Sequence, residues 1–209
     1  MWSFGKDSSE RQTLTLPLFP LSTVLFPGGL LPLKIFEQRY IDMAKASLRD
    51  GTPFGVCMIT QGEEVAPVRG APVEFAKVGT CARIVDFDMP QPGILHVATR
   101  GEARFQVHNH AVAASGLVIG EATAIAPEAR LPLADGYAPL ARLLELIASR
   151  VGPQNFPAER DYGDASWVGY RLAELLPLPL SIKQSMLEIN DADVRLKVLQ
   201  QFLTQQGLI

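Results

Sequence analysis

The chain has 209 residues, 47% of them hydrophobic and 20% charged, with a formal net charge of −3. That length holds one domain or two small, closely packed ones around a real core, and the composition excludes a disordered chain. The slight acidity lacks the basic surface that binding along nucleic-acid phosphates requires, so a nucleic-acid partner is disfavoured.

Met1 to Gln12 is polar apart from Trp2 and Phe4 and reads as a loosely held tail, residues 1–12. It has no apolar signal-peptide core, and no run of ~18 apolar residues occurs elsewhere, so no membrane span is expected and the cytoplasm is the default location. From Leu14, leucine-rich runs alternate with Pro17, Pro20, Pro27 and Pro32. Proline cannot donate a ladder hydrogen bond, which predicts short, edge-like or bulged strands and excludes a long helix. Pro27-Gly28-Gly29 is a turn signal, and Leu31, Leu33 and Ile35 then alternate as a half-buried strand. After Glu37 the spacing of Tyr40, Ile41, Ala44 and Leu48 is helical, closed by Gly51 and Pro53.

LPLFPL (Leu16 to Leu21), VLFPGG (Val24 to Gly29), LPLKIFE (Leu31 to Glu37) and RYIDM (Arg39 to Met43) stand in this order. Together they resemble the opening signature of the Lon protease N-terminal domain family, including its stand-alone members. The resemblance implies a polypeptide-recognition domain with a small PUA-like pseudo-barrel followed by helices. It does not by itself imply proteolysis.

Further along, Phe54 to Thr60 reads as a strand buried on both sides, and Pro67 to Pro72 as loop. Val73 to Asp88 is strand-like, and a loop from Met89 to Gly93 joins it to Ile94 through Arg100 as a hairpin. Gly101 is expected to break the line before Arg104 to His108, and Leu117 to Ile125 supplies another strand. VGTCARIVDF (Val78 to Phe87) and VATRGEARFQV (Val97 to Val107) look like two further words of the family. From Leu131 the period becomes helical, with Leu140, Leu143, Leu144 and Ile147 in one stripe that ends before Gly152-Pro153. A second helix spans about Ala165 to Leu176. Ser181 and Gln184 have capping-box spacing for a short third helix, and Asp191 can cap a last one with Leu196, Leu199, Phe202 and Leu203 on one side. LPLPLSIKQSMLEINDADVRLKVL (Leu176 to Leu199) resembles the family's closing segment. The expected class is α+β, with a PUA-like β subdomain at 13–126 that includes one early helix and a helical subdomain at 127–209.

No GxxxxGK[ST] or GxSxG sequence occurs, so neither a nucleotide-phosphate cradle nor a serine-nucleophile elbow is expected. Ser181 and Lys183 lie two apart across a helix start and would not face each other. His108 and His110 could share one strand face as a zinc half-site, but no CxxC or HExxH spacing completes four ligands. Cys57 and Cys81 read as buried thiols of a reducing compartment. Glu63-Glu64, and Asp86 with Asp88, read as solvated turn carboxylates. No cofactor, metal or enzymatic activity is expected.

Glu37 and Arg39 either pair and anchor the early helix, or Arg39 joins Phe26, Pro27, Phe36 and Tyr40 in lining a groove for an extended peptide. Phe26, at a turn tip, is either folded into the core or offered to a partner, and partial exposure is expected. Arg83, Arg100 and Arg104 are candidate polar contacts on the sheet. The functional expectation is a non-enzymatic domain that recognises unfolded or extended polypeptides, an adaptor in protein quality control that docks to a protease or chaperone partner. The alternatives are a PUA-like nucleic-acid binder and, more weakly, a metal-dependent hydrolase on His108 and His110.

Overall fold

The computed structural model describes residues 13–62, 73–152 and 155–209. The tail 1–12, Glu63-Glu64 and the Pro67 to Pro72 loop lie outside the described residues. Strand β1 (Thr13–Leu21) is followed by β2 (Leu30–Ile35), helix α1 (Gln38–Asp50), β3 (Phe54–Gln61), β4 (Glu74–Phe75), β5 (Val78–Gln91), β6 (Ile94–Val112) and β7 (Val118–Ala124). Four helices then follow: α2 (Ala138–Val151), α3 (Ala165–Leu175), α4 (Leu180–Glu188) and α5 (Ala192–Gln205).

The sheet order is β1-β7-β6-β5-β3-β4, with β2 added to β6. A further parallel pairing of β1 with β3 turns β1, β7, β6, β5 and β3 into a closed ring, the pseudo-barrel that the family resemblance implies. Its interior is filled by Leu18 and Phe105, both fully buried. Leu18 pairs with Gly55 and Phe105 with Gly79, and a Cβ at Gly55 would stand 2.6 Å from the Phe105 ring. Small residues opposite large ones let so narrow a ring close over packed side chains.

β1 corrects the expectation of an edge-like strand. It pairs with β7 from Thr13 to Leu18 and with β3 from Leu18 to Leu21. Pro17 therefore has a ladder partner only on the β7 side and Pro20 only on the β3 side, and a strand that changes partners at Leu18 accommodates prolines inside a closed sheet. β5 and β6 also run further than expected. Met89 to Gln91 is strand, and the hairpin turns at Gly93, whose φ is +83°. β6 continues through Gly101 without a break, because Gly101 serves close approach: a Cβ there would overlap the Phe26 carbonyl.

Helix α1 ends at Gly51 in the left-handed conformation and lays Tyr40, Ile41 and Ala44 against Phe19, Ile35, Leu95 and Val97. The later helices share another core, in which Leu140, Leu144, Val168, Leu172, Leu196 and Leu199 enclose Phe26 and Met58 from the β part. Asp191 caps α5, accepting from the amides of Asp193 and Val194. Ser181 does not cap α4. The helix starts one residue earlier, after Pro179, and Gln184 Nε2 instead donates to the Val78 carbonyl at 3.0 Å.

Candidate functional site

The residues expected to form one groove are divided between two faces. Pro27 and Gly28 are the central residues of a tight turn in which the Gly29 amide donates to the Phe26 carbonyl at 2.9 Å, with Gly28 at φ +74°. This geometry needs glycine at the third position. The turn is not a free tip. Arg171 of α3 donates from Nη2 to the Pro27 carbonyl at 2.8 Å, and Gly28 donates to the Gly101 carbonyl at 2.8 Å. Phe26 is 0% exposed, with its ring 5.8 Å from that of Tyr170, which corrects the expectation of a partly offered aromatic. Helix α3 supplied the cover, and it lies some 140 residues away in sequence.

On the other face, Tyr40 is buried and stacks on Phe19 at 3.9 Å. Arg39 pairs with Glu37 at 2.8 Å and donates to the Gly116 carbonyl at 2.8 Å, so it pins the β6–β7 turn to the start of α1. A hollow of about 270 Å³ opens beside it, lined by Pro17, Arg39, Met43, Thr52, Ser115 and Leu117 among others. Of the five residues, Phe36 alone is largely exposed, at 55%.

The arginines of the sheet are spoken for. Arg83 pairs with Glu102 and donates to the Gly51 carbonyl at 2.8 Å, while Arg100 pairs with Glu159 at 2.7 Å. Arg104 is buried and donates to the carbonyls of Leu187 at 2.6 Å and Ile189 at 3.1 Å. Arg195 of α5 does the same for Met186 at 3.0 Å and Ile189 at 2.6 Å. Two cations thus satisfy the free carbonyls at the C-terminal end of α4, where the helix dipole favours positive charge. Both converge on Glu128, at 3.4 Å from Arg104 and 2.5 Å from Arg195, and Ser166 and Tyr170 donate to the same carboxylate. Burial pushes the Glu128 carboxyl up, but the hydrogen bonds from Arg195, Ser166 and Tyr170 outweigh it and hold it below the usual carboxylate range. This cluster is a structural bolt between β6, the segment after β7 and the last helices.

His108 and His110 do not converge. A bulge between Val107 and Asn109 breaks their alternation. His108 meets the Thr123 hydroxyl at 2.7 Å, and the His110 ring lies 5.0 Å from Phe75. Burial raises the thiols of Cys57 and Cys81 to about 12, so neither is a thiolate nucleophile near neutral pH.

One surface was missed from sequence. β5 pairs with β3 only from Thr80 to Ala82, and beyond that its β6-distal side has no strand partner among the described residues. This free edge, from Ile84 to Gln91, carries Val85, Phe87 and Met89, exposed at 54%, 58% and 46%. The ladder places Phe87 opposite Val97, which is in turn opposite Leu33 of β2. Phe36 follows Ile35, whose partner Leu95 is two residues from Val97. Phe36 thus lies two strands from the free edge, on the far side of the arm made by β5, β6 and β2. Alternation of Val85, Phe87 and Met89 with Asp86 and Asp88 was visible in the sequence. That no strand among the described residues covers it was not.

Comparison with known proteins agrees with this architecture. The family model for the ATP-dependent protease La (LON) substrate-binding domain matches residues 15–205. The chain is 28% identical to the Lon protease of Phenylobacterium zucineum over 215 residues, covering 96% of this chain and 26% of that protein. Lon protease 2 of Myxococcus xanthus is 36% identical over 104 residues, 49% of this chain and 12% of that protein. The chain thus spans about a quarter or less of the curated relatives it matches. The crystal structure of a Lon N-terminal domain protein from Xanthomonas campestris superposes with a TM-score of 0.74 at 37% identity, covering 90% of this chain and 98% of that one. The N-terminal domain of a Mycobacterium avium complex Lon protease shares the fold, with a TM-score of 0.61 at 22% identity over 91% of this chain and 98% of that one. The match runs from β1 to the last turn of α5, and the chain belongs to the Lon substrate-binding domain family.

Proposed function

We propose that the chain recognises extended segments of unfolded polypeptides and holds them without chemical turnover, through the free edge of β5. One observation carries this: in a member of a substrate-binding family, a strand edge with no partner among the described residues bears exposed Val85, Phe87 and Met89. Exposed edges offer backbone donors and acceptors to an added strand, and flanking apolar side chains supply the area that makes the addition favourable. Docking to a protease or chaperone that processes the held segment is the role in which such a domain would act. Asp86 and Asp88 on the same edge oppose the nucleic-acid alternative.

Titration of a fluorescent, permanently unfolded polypeptide into the wild type and Phe87→Ser tests the proposal. We expect micromolar binding that weakens at least several-fold in the variant, with the melting temperature nearly unchanged because Phe87 is mostly in solvent. Equal binding by both would remove the site, and tighter binding of single-stranded RNA than of polypeptide would favour the nucleic-acid alternative.

A further inference from the structure

We infer that the β5 edge selects a particular class of polypeptide: extended segments in which apolar and basic residues alternate. The inference rests on the polypeptide recognition proposed above and gives it a sequence preference. Phe87 lies on the face of Val97, whereas Asp86 and Asp88 lie opposite Ala98 and His96 on the other face. Val85, at a bulge between the pairs Ile84 with Thr99 and Asp86 with Ala98, is exposed on the same edge. A strand added beside β5 therefore meets an apolar row on one face and two carboxylates on the other. Its own side chains alternate between those faces, so apolar residues and lysine or arginine must alternate along it.

The backbone sharpens the preference. The Phe87 amide donates to its neighbour's carboxylate, Asp86 Oδ1, at 2.9 Å. Asp86 thereby guards the edge against indiscriminate pairing, as charges on edge strands do. A neutral strand must compete with that carboxylate for the amide. A basic residue on the incoming strand draws the carboxylate towards itself and frees the amide for the ladder. An acidic residue meets repulsion from both aspartates. Lys34 stands in the same row as Asp88 but two strands over, with His96 between them. That distance of roughly 10 Å is about one Debye length at ordinary salt, so Lys34 leaves the edge acidic.

The experiment uses three labelled eight-residue probes, alternating valine with lysine, with serine and with glutamate. A fourth is the lysine probe N-methylated at every residue, which has no amide donor on either edge and cannot complete a ladder. Fluorescence anisotropy with the full chain should show the lysine probe binding about five- to tenfold tighter than the serine probe, the glutamate probe weakest, and loss of binding on N-methylation. Asp86→Asn/Asp88→Asn, both in solvent, should bring the lysine and serine probes within twofold. If that variant melts early, the salt dependence of the wild type decides instead: the lysine probe's advantage should shrink as salt rises. Equal affinities for the three charge patterns, or undiminished binding of the N-methylated probe, overturn the inference; the proposed function stands if the unfolded polypeptide still binds through Phe87. A concentration-dependent dimer that excludes the probes would also overturn it, by showing that the edge is filled by a second copy of the chain. Failure of both probes and unfolded polypeptide overturns inference and function together.

Discussion

Glu128 is the residue on which most of the buried charge depends. Arg104 and Arg195 are both nearly inaccessible, and removing their shared carboxylate leaves them as buried cations, a change that costs about 3–5 kcal/mol in comparable pairs. Glu128→Gln should lower stability by that order in denaturant titration. The pH dependence has a defined sign. The folded state holds the Glu128 pKa below its unfolded value of ~4.3, so its stabilisation is present above that pH and fades as pH falls through the depressed folded value. Glu174 acts in the opposite sense. Burial raises its carboxyl, against the pull of Arg171 and Lys183, so protonation there favours the folded state. The acid limb of a stability-versus-pH curve should therefore flatten in Glu128→Gln. Phe26 makes the second prediction at this scale. Fully buried against Tyr170, it should cost ~3–5 kcal/mol when changed to Ala, while the folded fraction keeps its affinity for unfolded polypeptide. A variant that melts normally but binds poorly would return Phe26 to the binding surface.

At the level of elements, the two candidate caps separate cleanly. Asp191→Ala removes acceptors from two helix amides and should cost ~0.5–2 kcal/mol, whereas Ser181→Ala, inside α4, should change stability by no more than ~0.5 kcal/mol. Paired thermal melts read both. The local grammar of the chain was legible where a residue's role is set by its neighbours: Gly51 ending α1, Asp191 starting α5, Pro27-Gly28 making a turn. It failed where a partner distant in sequence decides. Gly101 looks like a strand breaker until Phe26 is placed against it, and Pro17 and Pro20 look like edge markers until β1 is seen to change partners between them. Ser181 has the spacing of a cap, yet Pro179 starts the helix first. For the candidate site, Phe36 was legible as an apolar residue ending a strand. Tyr40 and Phe26 were not, since Phe19 and α3 bury them. The β5 edge escaped notice because alternation identifies a strand's two faces but not which of its edges is left open.

Across the whole molecule, the Glu128 bolt ties the barrel to the helices that cover the Pro27 turn, so the two should unfold together. Native-state amide exchange should give α4 amides and β6 amides similar opening free energies in the wild type. In Arg104→Met, which loses the bonds to Leu187 and Ile189, α4 should exchange well before β6; persistence of equal protection would show that apolar packing alone couples them. The ring itself has a temporal consequence. β1 reaches its antiparallel partner only at Val118–Ala124, with Thr13 opposite Thr123, and a vectorially synthesised chain emerges at ~5–20 residues per second. β1 therefore waits on the order of seconds, as an apolar leucine-rich ribbon, before that antiparallel ladder can form. Pro17 and Pro20 then act on the unfinished chain: each withholds an amide from any nascent neighbour, so the same residues that permit a change of partner in the finished barrel discourage wrong partners before it closes.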